Sequence, residues 1–64
     1  MTYEEVKTTI ENEYQRKIKS RVSVGWREHE AERFAYQFVS GMAKAFRIAG
    51  FITDSQACDI LLEI

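Results

Sequence analysis

"WREHEAERFAYQFVSGMAKAFRIA", residues 26–49, runs without a proline and with a single glycine, Gly41. At 100° per residue, Phe34, Ala45, Phe38, Ala31, Ala49, Met42, Ala35, Phe46 and Val39 fall within an arc of roughly 140°. Arg33, Gln37, Ser40, Lys44 and Arg47 fall opposite. One apolar stripe facing one polar stripe predicts an amphipathic helix of about 36 Å at 1.5 Å per residue. Glu28 and Glu30 stand near its start, where acidic side chains favour the positive end of the helix dipole.

Downstream lies "AGFITDSQACDIL", residues 49–61, in which a glycine, an apolar residue and a short polar run lead into a second apolar repeat. Two structures fit that outline: a calcium loop of the EF-hand type or a corner between helices. A twelve-position calcium loop needs oxygen ligands at positions 1, 3 and 5, glycine at 6 and a bidentate glutamate at 12. With Gly50 as the glycine, those places hold Ala45, Arg47, Ala49 and Gln56. Two methyl groups and a cation cannot coordinate calcium, and a neutral amide replaces the bidentate carboxylate, so no metal is expected. As a corner the same residues are consistent: Gly50 ends the central helix, and Phe51 should touch Phe46 one turn back. Thr53 with Gln56 forms a capping box for a last helix, about 54–64, whose Ala57, Ile60, Leu61 and Ile64 recur at helical spacing.

Upstream, "TYEE" is another capping box, Thr2 with Glu5, and Tyr3, Val6, Ile10, Tyr14 and Ile18 follow at intervals of three or four. That predicts a first helix over about 3–20, acidic at its start and basic at its end. "SRVSVGW" breaks the repeat by alternating Val22, Val24 and Trp26 around Gly25, and is expected to be a turn.

The chain has 64 residues and a single cysteine, Cys58, so it is one domain with no internal disulfide. Cys58 and the lone His29 cannot build a four-ligand zinc site. Its first residues, "MTYEEVKTTI", contain neither a basic-then-apolar leader nor a run of about 20 apolar residues, which predicts a cytoplasmic protein off the membrane. A net charge of -1 gives no general attraction to nucleic acid or anionic lipid.

Three sets of residues invite a chemical role. His29 lies between Glu28 and Glu30, but a zinc-protease helix would need a second histidine where Arg33 stands, so His29 is expected to be a solvated residue and the protein not an enzyme. Arg16, Lys17, Lys19, Arg21 and Arg27 gather five cations that phosphates could contact, yet no aromatic residue is interleaved with them in sequence for stacking on bases. The apolar surplus is the third set. Three helices in one open layer cannot enclose all the apolar residues, and contiguous exposed apolar patches mark contact sites.

The expectation is therefore an all-α fold of three helices with a long central one, completed by homodimerisation, with no cofactor and no metal. Its expected function is protein–protein interaction as a small adaptor, inhibitor or regulator of the kind phage or other mobile elements encode. The contact residues would be Phe34, Phe38, Met42, Phe46, Ile48, Cys58 and Leu62. A nucleic-acid-binding regulator using the basic patch at residues 16–27 is the alternative.

Overall fold

The structure, a computed structural model, describes all 64 residues as three α-helices: α1 (Tyr3–Ser23), α2 (Glu28–Ile48) and α3 (Asp54–Glu63). α1 and α2 form an antiparallel hairpin, and α3 folds back across the end that holds the N-terminus of α1 and the C-terminus of α2. The result is a rod of 37 × 18 × 16 Å with a radius of gyration of 12.1 Å. A rounder chain of this length would have a radius near 10.7 Å.

Both long helices stop by the same device. After α1, the Gly25 N–H donates to Val22 O and the Trp26 N–H to Arg21 O; after α2, the Gly50 N–H donates to Arg47 O and the Phe51 N–H to Phe46 O. These are Schellman closures, and each needs a left-handed residue, supplied by Gly25 at φ 101° and Gly50 at φ 85°. The expected contact between Phe51 and Phe46 is present, with ring centroids 6.1 Å apart and edges tilted at 70°. Because the Trp26 N–H is tied back to α1 and Arg27 is extended, α2 begins at Glu28, two residues later than its apolar repeat suggests. α1 runs three residues beyond its predicted end, since Gly25 sets the stop and Ser23 Oγ donates to Ser20 O at 2.7 Å inside the last turn. Each long helix therefore has 21 residues, or about 32 Å.

Both predicted capping boxes are formed. Thr2 Oγ1 accepts from the Glu5 N–H while Glu5 Oε1 accepts from the Thr2 N–H; Thr53 and Gln56 repeat the pattern. Two ion pairs lace α3 to the hairpin, Lys7 to Glu63 at 2.7 Å and Arg47 to Asp54 at 3.1 Å.

The core is small and aliphatic. Val6 and Ile10 of α1, Val39 and Ala43 of α2, Ile52 in the corner, and Ala57 and Ile60 of α3 form one buried cluster. Further along the hairpin only Ala31 and Ala35 are buried, beyond the reach of α3. The buried stripe of α2 is thus Ala31, Ala35, Val39 and Ala43, rotated by roughly 50° from the predicted arc. Ala43, outside that arc, is buried, whereas Phe38, Ala45 and Ala49, inside it, are exposed. Small side chains let α1 and α3 come close on one flank of α2, and helices packed at close range leave no space for rings between them.

Gly50→Ala forces a β-carbon into the left-handed region, so it should destabilise the fold by about 1–2 kcal/mol in urea unfolding. Thr53→Ala should cost about 1 kcal/mol by removing a cap. The backbone N–H and side chain of Thr2 hold the Glu5 carboxyl below the usual carboxylate range. A folded value below the unfolded one means that this support is complete above the ordinary glutamate pKa of about 4.3 and is lost as pH falls through the folded value. Amide resonances of Thr2 and Glu5 should therefore report fraying of α1's first turn on acidification in that window.

Candidate interaction face

None of the eight aromatic residues is buried. Tyr3, Tyr14, Phe34 and Phe46 are half-buried, and Trp26, Tyr36, Phe38 and Phe51 are exposed. Rings usually dominate a core because each carries 150–250 Å² of surface. Here the alanine stripe occupies the seam, and the rings are displaced to the flanks.

One flank of α2 collects most of them. Phe34, Phe38, Ala45 and Ala49 project from the side of α2 away from α3, with Met42 and Phe46 at its margin toward the core. Met42, Ala45, Phe46, Ala49 and Phe51 line an open, wholly apolar hollow of ≈ 360 Å³ on this side. Nothing in the chain covers it. On the opposite side, the groove between α2 and α3 has a mixed lining, with Ala43, Ala57, Cys58 and Leu61 on its apolar part and Ser40, Lys44, Arg47 and Asp54 on its polar part.

At the hairpin turn the rings meet cations. The Lys17 Nζ lies 4.3 Å from the centroid of Phe38. The Arg21 guanidinium lies 4.4 Å from Phe34 and 5.3 Å from Trp26, two rings that stack edge to face at 5.5 Å. Its Nε is enclosed and makes no hydrogen bond within the chain. Tyr14 belongs to the other flank: burial first, and then the nearby Glu32 carboxylate, push its hydroxyl pKa up.

The predicted contact residues divide between two surfaces. Phe34, Phe38, Met42 and Phe46 share the bare flank of α2, and Ile48, 70% exposed, stands at its edge. Cys58 opens onto the mixed groove across the helix, and Leu62, 83% exposed, follows it by one turn on α3. Trp26 and Phe51 were not singled out by spacing as contact residues, although both directly follow a helix-ending glycine. That position is the available signal, because a Schellman closure turns the next side chain back onto the helix it ends.

The five cations of the 16–27 patch are also sorted. Arg16 pairs with Glu13 at 2.8 Å, Lys17 and Arg21 lie over rings, and only Lys19 and Arg27 have no such partner. The fold supplies the aromatic neighbours that the linear sequence lacked, but the cations already occupy their faces. His29 is exposed on α2, no cluster of three acid, histidine or cysteine groups converges, and no helix is long and apolar enough to cross a membrane. No protein-family model, curated protein or solved structure matches this chain.

Arg21→Ala should uncover Trp26 and Phe34. The single tryptophan's emission should shift to the red, and unfolding stability should fall by about 0.5–1 kcal/mol. Arg21→Lys, which keeps a cation in place, should retain part of both.

Proposed function

We propose that the protein is a non-enzymatic protein–protein interaction module, an adaptor, inhibitor or regulator, whose partners include a second copy of itself. The observation that carries this is the distribution of rings: all eight lie at least partly outside a core built from short aliphatic side chains. Aromatic residues are the enriched anchors of interfaces, where a rigid ring seats in an apolar pocket. The apolar hollow beside Phe38 offers both halves of such an arrangement, an anchor and a receptacle.

The nucleic-acid reading draws on the cation–ring cluster at the hairpin turn. It is the weaker of the two, because three of the five cations already have partners within the chain and Glu28, Glu30 and Glu32 open the adjoining helix. A salt-dependent shift of single-stranded DNA or RNA that fails in Lys17→Ala/Lys19→Ala would reverse this order.

Phe38→Glu places a charge at the centre of the bare flank without touching the core cluster. It should reduce capture of the protein's partner from its native host by at least tenfold while helical circular dichroism is unchanged. Glu28→Ala, away from that flank, should leave capture unaltered.

A further inference from the structure

We propose that the bare flank of α2 is a twofold, antiparallel homodimer interface, crossed at Gly41 and Met42, in which Phe38 of each copy enters the hollow of the other. The inference rests on the interaction reading above and names its first partner.

Three arguments point to a second copy. The first is register. An antiparallel mate centred between residues 41 and 42 sets Phe38 against Ala45 and Phe34 against Ala49 of its partner, ring against methyl. Ala45 and Ala49 are the floor of the hollow whose walls are Met42, Phe46 and Phe51. A twofold axis then uses the same pairing twice, which is what an isologous interface requires.

The second is charge. The hairpin-turn end, residues 16–37, carries six Lys or Arg against three Asp or Glu, a net of +3; the remaining residues carry three against seven, a net of -4. The fold places these groups at opposite ends of a 37 Å rod. An antiparallel mate sets each basic end beside an acidic one, whereas a parallel mate sets like against like.

The third is Gly41. A glycine inside a helix costs about 0.5–1 kcal/mol relative to alanine. Nothing in the chain lies within 4 Å of the β-carbon it lacks, so no contact within one copy requires it. At the crossing point of two α2 helices the missing side chain permits backbone approach.

The test combines mass with cross-linking. Sedimentation equilibrium at about 100 µM should give twice the 7.5 kDa chain mass. Gly41→Leu should return the monomer mass with helicity retained, since the space around Gly41 is open within one copy. In a Cys58→Ser background, Gly41→Cys lies beside the axis and should oxidise to a covalent dimer, while Ser20→Cys, at the far end, should not. A wild-type monomer, a Gly41→Leu dimer of undiminished affinity, or cross-linking through Ser20→Cys as fast as through Gly41→Cys overturns the proposal. The interaction reading falls on a different result, Phe38→Glu leaving partner capture unchanged, so a monomer that still needs Phe38 for capture would sink only the dimer.

Discussion

Everything distinctive about this molecule depends on the close seating of α1 against the alanine side of α2. Ala31 and Ala35 are fully buried although α3 never reaches them, so they are covered by α1 alone. A methyl group can be buried between two helices because it asks for so little depth. A phenylalanine cannot share that seam, so Phe34 and Phe38, one turn apart on the adjacent row, are turned outward. The same constraint determines where α3 docks: Val39 and Ala43 continue the row, and Ile60 and Ala57 fill against them with Val6 and Ile10.

The accessible surface, 4415 Å², is near the ~4,250 Å² expected for a compact monomer of this mass. The amount of surface is therefore ordinary for the mass, and what is particular is its occupants, four exposed and four half-buried aromatic rings. With Ile10, Ile60, Val6 and Val39 as its largest fully buried side chains, the core offers little beyond the few kcal/mol typical of such small domains. Two Schellman corners and two capping boxes add local definition, and they matter more here than in a protein with a deep core. A partner that binds only the folded rod would stabilise it in proportion to the logarithm of its concentration over its dissociation constant.

The fold was largely legible in the sequence, because its signals are local. Thr2 with Glu5, Thr53 with Gln56, and Gly25 and Gly50 mark helix ends through interactions that span a few residues, and each is realised. The face of α2 was legible only to about half its width. Periodicity weights Phe38 and Ala43 by their apolarity, but burial is decided by which neighbour can approach, and that depends on size along a row. The basic run from Arg16 to Arg27 shows the converse failure. It reads as a free phosphate-binding patch until the hairpin folds and brings Phe34 and Phe38, some thirteen to twenty-one residues away, under Arg21 and Lys17.

That cation–ring cluster also accounts for how an aromatic flank can be carried into water. The Lys17 ammonium and the Arg21 guanidinium lie directly over the faces of Phe38 and Phe34, so the half of the flank nearest the turn is covered by charged groups. The other half, the hollow between Met42 and Phe51, has no cation over it. In the proposed antiparallel dimer, the charged, ring-bearing end of one copy would meet the uncovered hollow of the other. Apolar contact alone would allow any pairing of two such flanks, while the segregation of charge along the rod would favour the antiparallel one.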